Sequence, residues 1–271
     1  MPELPEVEVV KRGLEEILSD HPRIEKIEIM RPDLRELIPI KKLNSLLGAR
    51  VISLERRAKY LIIWTEKGGI LSHLGMTGSW RVAPFGEERL HDHIYLYFSG
   101  NLRLAYRDPR RFGLIDFIKK PIAAHKKLAG LGPEPFGDDF CADYLKKRVE
   151  GKGVPIKAAI MDQKIVVGVG NIYANEALFS AEIRPSKPAN KVSQVDLGNL
   201  ITEIRKILLN AIEMGGSTIS DFEKTSGEAG YFQNSFKVYG REGEPCLECH
   251  NPIKLQVLSG RSTFWCSRCQ N

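Results

Sequence analysis

Near the start of the chain, apolar residues recur at steps of three and four: Val7, Val10, Leu14, Ile17 and Leu18. That spacing lines one face of a helix and predicts one over residues 3–19. Pro5 suits its first turn, and Glu3 and Glu6 suit the positive end of its dipole. The period then changes. Between residues 23 and 118 short apolar runs alternate with charged positions, as at Ile27 and Ile29. Further strands are predicted over 50–56, 60–65, 70–74, 79–82, 93–98, 102–106 and 113–118. Gly68-Gly69 and Gly100-Asn101 fall where hairpin turns belong. Many short strands with turn signals imply a β-sandwich or barrel.

The stretch Gly130-Leu131-Gly132-Pro133-Glu134-Pro135 breaks both periods and reads as an interdomain linker. Helical patterns then run from 138 to 215. The clearest covers 193–214, with Leu197, Leu200, Ile201, Ile204, Ile207, Leu208 and Ala211 on one face. Ser193 with Asp196 resembles a capping box at its start, and Gly215 suits its end. Residues 216–236 are polar with little periodicity, and a cysteine-rich tail closes the chain. A chain of 271 residues with strands first and helices after reads as an α+β protein of two domains.

Charge and composition narrow the partners. Forty basic against 34 acidic residues leave a net charge of +6, which permits a polyanion without demanding one. No run approaches the ~18 apolar residues of a membrane helix, and the charged start lacks a signal peptide's apolar core. The expectation is a cytoplasmic protein with reduced thiols. Four of the five cysteines then form two pairs, Cys246-x2-Cys249 and Cys266-x2-Cys269, the spacing of a tetrahedral Zn²⁺ site. Four thiolates leave no open coordination position, so this zinc staples a tail too small for its own core. Cys141 stands apart and reads as a buried or idle thiol.

Several segments carry possible chemistry, each with a plainer alternative. Arg261, at the turn between the cysteine pairs, suits a phosphate or is a solvated surface cation. Gly168-Val169-Gly170-Asn171 leads into an apolar helix. It is an anion site at a helix N-terminus, with Asn171 as cap, or an ordinary turn. Arg56, Arg57 and Lys59 form one basic cluster; Arg107, Arg110 and Arg111 form another. Met76 and Phe112 near them are core residues or wedges for a base stack. Pro2 merely starts the helix, or, with Met1 removed, offers a secondary amine that can form an iminium with a sugar carbon. The positive end of the first helix favours that amine uncharged, with Glu3 and Glu6 near enough to move protons.

Read together, these segments resemble the formamidopyrimidine-DNA glycosylase family from end to end. The matching residues are Met1-Pro2-Glu3-Leu4-Pro5-Glu6-Val7-Glu8, Arg56-Arg57-Ala58-Lys59-Tyr60-Leu61, His73-Leu74-Gly75-Met76, His91-Asp92-His93, Asp108-Pro109-Arg110-Arg111-Phe112-Gly113, Leu131-Gly132-Pro133-Glu134-Pro135, Val167-Gly168-Val169-Gly170-Asn171-Ile172-Tyr173 and the four-cysteine tail. The resemblance implies an N-terminal β-sandwich with flanking helices over 2–131 and a linker at 132–136. A helix–two-turn–helix domain with a lesion loop follows at 137–236, then a zinc hairpin at 237–271. Duplex DNA carrying an oxidised purine, such as 8-oxoguanine or a formamidopyrimidine, is the implied partner of a bacterial monomer held at the nucleoid through DNA.

By the same resemblance Pro2 attacks C1′ and displaces the base, and Glu3 moves protons during ring opening, supported by Glu6. Lys59 is similar to a catalytic lysine near the phosphates, and Arg261 to an arginine linked to the second of two eliminations. His91, Arg110, Lys157 and Asn171 are similar to phosphate or strand contacts. Met76, Arg110 and Phe112 are similar to residues that fill the duplex after the lesion flips out, with Arg110 facing the orphaned cytosine. The loop at 217–231 is similar to one that closes over the flipped base. A family lysine ahead of Lys157 is replaced here by Gly153, next to Lys152. Two other readings compete. The endonuclease VIII branch shares the Pro-Glu start and the zinc hairpin, but Leu4 and the Met76, Arg110, Phe112 set favour the purine-specific branch. A non-catalytic nucleic-acid-binding zinc protein would need no Pro2 amine.

Overall fold

The computed structural model describes residues 2–217 and 231–271. Most of the expected lesion loop and Met1 lie outside the described residues. Two compact units emerge: Met1–Ala129 with Met214–Tyr231, and Gly130–Glu213 with Phe232–Asn271.

In the first unit α1 spans Leu4–Ile17 and buries Leu4, Val7, Val10 and Leu14 on the face its periodicity predicts. Strand β1 (Ile24–Ile29) and a short α2 (Ile40–Asn44) follow. Next come β2 (Val51–Arg57), β3 (Tyr60–Thr65), β4 (Gly68–His73), β5 (Ser79–Val82), β6 (Asp92–Phe98), β7 (Leu102–Arg107) and β8 (Leu114–Ile118). They form two antiparallel sheets, ordered β1-β6-β7-β5 and β2-β3-β4-β8. Residues of both sheets share one core: Ile24, Trp80, Leu96 and Tyr106 from the first, Leu54, Leu61, Ile63 and Ile70 from the second. Sheets that share a dry face in this way make a sandwich. The Trp80 indole N–H donates to the Ser72 hydroxyl at 3.0 Å, a buried bond from one sheet to the other. Helix α1 packs on β2 and β3.

One turn departs from expectation. The β3–β4 turn is Glu66-Lys67, and Gly68-Gly69 already belong to β4, with Gly68 paired to Thr65 and Gly69 to Trp64. A side chain at Gly69 would lie 2.9 Å from the Trp64 ring. That glycine serves a close approach rather than a turn. Gly100 and Asn101 do occupy the β6–β7 turn, both at positive φ.

The second unit holds α3 (Ala142–Val149), α4 (Ile156–Met161), α5 (Asn171–Ser180), α6 (Gln194–Glu213) and the hairpin β9 (Ile253–Leu258) with β10 (Arg261–Cys266). Ser193 caps α6 through its hydroxyl, which accepts the Asp196 amide at 3.0 Å. Residues Ile172–Phe179 of α5 are all buried, the polar Asn175 and Glu176 among them. Its neighbours include α4, α6 and β10. The cap of α5 is Gly170, in extended backbone, and Asn171 is the first helical residue. Its side chain turns elsewhere, so the expected cap does not form. Cys141 precedes α3 and is exposed, where the sequence suggested a buried or idle thiol. Gly132 and Pro133 bond to Gln163 and Val167, so this punctuated stretch is tied into the second unit. Among the described residues no helix is long and apolar enough to cross a membrane.

Candidate functional site

Pro2 and Glu3 stand at the buried start of α1, where the helix dipole is positive. Glu6, on the first turn, turns back: its Oε2 accepts the Glu3 amide at 2.9 Å. Its Oε1 accepts both the amide (2.8 Å) and the hydroxyl (2.9 Å) of Ser217. One buried carboxylate therefore ties the start of the chain to the residue where the expected lesion loop departs. Sequence spacing could not reveal this link, because 211 positions separate the partners.

Lys59 occupies the two-residue turn between β2 and β3 with Ala58, which is forced into the left-handed region at φ 57°. That conformation costs an alanine about 1–2 kcal/mol, and Arg56 supports it by donating to the Ala58 carbonyl at 3.1 Å. Arg56 also donates to Glu8 Oε2 at 2.9 Å and so fixes the turn to α1. Burial pushes the Glu8 carboxyl up. The Arg56 hydrogen bond and the charges of Lys11, Arg56 and Arg12 outweigh it and hold the group below its usual value. Lys59 itself is buried, at 7% exposure. Its charge is felt by His73, across from Tyr60 in the next strand. Burial, then Lys59, then Arg35 drive the His73 pKa down to about 4, so the ring is neutral at neutral pH. Its Nδ1 accepts the Gly75 amide at 3.0 Å, which leaves the proton on Nε2. His73 lay in a recognised motif, yet its sequence context assigned it no task.

Met76 and Phe112 are exposed, at 37% and 47%, against the core reading of both. The Arg110 guanidinium lies over the Phe112 ring at 4.9 Å. His91 takes positive φ (72°) just before β6, and its carbonyl accepts the Asp108 amide at 3.1 Å. The sheet ends thus present two half-exposed apolar side chains beside a cation, a combination suited to entering a base stack.

In the second unit the zinc-ligand cysteines converge. The sulfurs of Cys246, Cys249, Cys266 and Cys269 all lie within 4.8 Å of one another. The Cys249–Cys266 and Cys246–Cys269 pairs are 3.4 and 3.9 Å apart. A tetrahedral Zn²⁺ with ~2.3 Å bonds separates its sulfurs by about 3.8 Å, so the four thiolates fit one structural ion. Ser259 and Gly260, both at positive φ, make the tight β9–β10 turn, and exposed Arg261 follows it.

Helices α4 and α5 hold this hairpin from below. Lys157, expected to meet a phosphate, is only 1% exposed. Its ammonium donates to the Ser262 carbonyl at 2.8 Å and to the Thr263 hydroxyl at 2.7 Å. A direct phosphate contact does not suit a group so enclosed; the lysine braces the strand that starts at Arg261. Asn171 donates to the same Ser262 carbonyl at 3.1 Å, and Asn175 accepts the Phe264 amide at 2.8 Å. Glu176, which the sequence reading passed over, accepts the amides of Lys237, Val238 and Tyr239 at 2.8–3.0 Å. Burial lifts its pKa above the usual value despite those three donors.

Comparison with known proteins accounts for this arrangement. Residues 1–115 match the formamidopyrimidine-DNA glycosylase N-terminal domain, 131–223 its H2TH domain, and 243–271 the zinc finger found in FPG and IleRS. The chain is 63% identical over 270 residues to a formamidopyrimidine-DNA glycosylase of Bdellovibrio bacteriovorus, and 44% identical over 283 residues to one of Ruegeria pomeroyi. Each match covers 100% of both chains. Among solved structures it superposes on the MutM (Fpg) protein of Thermus thermophilus with a TM-score of 0.88 at 35% identity, covering 99% of this chain and 98% of that one. A Lactococcus lactis Fpg variant bound to Fapy-dG DNA gives 0.91 at 34% identity, with 100% of both chains covered. With the family's N-terminal domain, its H2TH domain and a zinc finger matched in that order, and a relative 63% identical over the whole chain, the chain belongs to the formamidopyrimidine-DNA glycosylase family.

Proposed function

We propose that this protein excises oxidised purines from duplex DNA through an iminium on Pro2 and then cleaves the strand by successive β- and δ-elimination. The coarser part follows from its family: it is a DNA glycosylase of base-excision repair. Solved relatives are bound to DNA carrying Fapy-dG and to DNA carrying carbocyclic 8-oxo-G. Lesions of that class are the proposed substrates.

The observation that carries the mechanism is the buried Pro2-Glu3 start, fixed by Glu6 at the positive end of α1. With Met1 removed, the Pro2 nitrogen lone pair attacks C1′. The bond from C1′ to the base breaks, and its electron pair leaves with the base, which takes up the proton that the Pro2 nitrogen sheds. Opening of the sugar ring then gives the C1′ iminium, and its former ring oxygen is protonated by Glu3. The iminium accepts electrons as a proton leaves C2′ and the 3′ phosphate departs. A second elimination expels the 5′ phosphate, and hydrolysis frees Pro2. Lys59 and Arg261 are assigned to the phosphates, with His91, Arg110 and Asn171 holding the strands. Met76, Arg110 and Phe112 fill the gap left by the flipped base. The zinc of Cys246, Cys249, Cys266 and Cys269 takes no part in the chemistry; it holds the hairpin in shape.

Borohydride reduction during turnover on an 8-oxoguanine·cytosine duplex should trap one covalent protein–DNA adduct. Pro2→Gly should reduce or abolish it, and a chain that keeps Met1 should give none. Normal lesion release by protein that still begins with methionine would exclude the mechanism. Faster excision of thymine glycol than of 8-oxoguanine would instead move the substrate to oxidised pyrimidines.

A further inference from the structure

The loops that bear Met76 and Arg110–Phe112 are far apart in sequence, yet a single buried side chain joins them. Asp108 is 0% exposed. Its Oδ1 accepts the Thr77 hydroxyl at 2.7 Å, and its Oδ2 accepts the Gly113 amide at 2.7 Å. Thr77 directly follows Met76, and Gly113 directly follows Phe112. The Thr77 oxygen in turn accepts the Arg110 amide at 3.2 Å. Asp108 backbone groups extend the knot: its amide donates to His91, and its carbonyl accepts His93 Nε2 at 2.9 Å and the Arg111 amide at 3.2 Å. Packing closes the same gap. Gly75 sits at φ 64°, and a side chain there would lie 2.3 Å from the Phe112 carbonyl carbon.

We propose that Asp108, acting through Thr77, is a positioning residue that locks the Met76 turn and the Arg110–Phe112 loop into one rigid unit, so that the three side chains enter a duplex together. This rests on the reading above that those three side chains meet DNA. A carboxylate suits this place: the Gly113 amide can only donate, and the Thr77 hydroxyl, which accepts the Arg110 amide, has its proton left to give. An amide at 108 could face Gly113 with its oxygen, but its N–H would then turn to the Thr77 oxygen and leave the hydroxyl proton without this acceptor. Independent loops would each pay the ordering entropy of insertion; a preformed pair does not.

The test uses Thr77→Val, which keeps the volume and loses the hydroxyl, Thr77→Ser, which keeps the hydroxyl, and Asp108→Asn. Base extrusion is followed by stopped-flow fluorescence of 2-aminopurine beside 8-oxoguanine, and excision by single-turnover kinetics. Thr77→Val should slow extrusion and excision about 10- to 100-fold and Asp108→Asn should slow both by a smaller factor, with Thr77→Ser within about threefold of the parent protein. Cleavage at a preformed abasic site, where no base has to leave the stack, should change far less; a merely weakened fold would slow both substrates alike. Met76→Ala and Arg110→Ala run alongside. If they slow extrusion while Thr77→Val does not, the lock is refuted and the DNA contacts stand. If they leave extrusion unchanged, the contact reading falls and the lock falls with it.

Discussion

At the scale of the residue, His73 makes a prediction about acid. Its folded pKa of about 4 lies below the ordinary 6.5, so the unfolded chain binds the proton more readily than the native one. Its contribution to stability is therefore complete above pH 6.5. It declines as pH falls from 6.5 toward 4, by roughly 3 kcal/mol at most. His73→Gln retains an acceptor for the Gly75 amide and removes the titration. Denaturant midpoints between pH 4 and 7 should fall more steeply for the parent protein than for the variant, and parallel curves would contradict the assignment. A histidine in a motif shows its residue type and no more; its low basicity comes first from burial and then from the charge of Lys59, to which strand register brings it close. The same holds for Glu6. A glutamate three residues past Glu3 is legible as a cap partner, but its bonds to Ser217 need the folded chain.

Whole elements were easier to read than their joints. The strand at 60–65 and the long helix match their predicted bounds almost to the residue: the helix buries one face and its period records it, and the strand, buried on both faces, shows as a continuous apolar run. Turn residues were harder: Gly69 is small for the sake of Trp64, not for a turn. Lys157 was hardest, since a lysine in isolation reads as a surface cation. Its burial becomes visible only when β10 lies over α4, an element about a hundred positions away. That placement separates two roles by experiment. If Lys157 braces the hairpin, Lys157→Met leaves two oxygens without their charged donor and destabilises the DNA-free protein by about 2–3 kcal/mol. It should also loosen zinc, seen as faster metal release to a chelator. The salt dependence of DNA affinity should keep its slope, because no phosphate contact is lost. A stable variant whose slope falls by about one would return Lys157 to the phosphates.

For the molecule as a whole, the net charge of +6 says little about where a polyanion sits, because acidic and basic residues are nearly balanced. What matters is where individual cations stand. Several are consumed internally: Arg56 by Glu8, Arg81 by Asp92, Arg103 by Glu88, and Lys157 by the hairpin. Lys59, Arg110 and Arg261 are the three full charges assigned here to DNA, one from a strand turn, one from the locked loops and one from the zinc hairpin. The two phosphates assigned to Lys59 and Arg261 give a slope of log affinity against log salt near −1.8, which is about a 7-fold loss between 0.1 and 0.3 M. Arg261→Ala should lower that slope by about one while zinc content stays at one ion per chain, since Arg261 is exposed and its side chain is not a ligand. Fluorescence anisotropy with an uncleavable abasic-analogue duplex across that salt range measures both quantities without turnover. A slope unchanged by Arg261→Ala would remove the hairpin arginine from the phosphate contacts. A flat response in the parent protein would mean that no cation–phosphate contact governs the encounter.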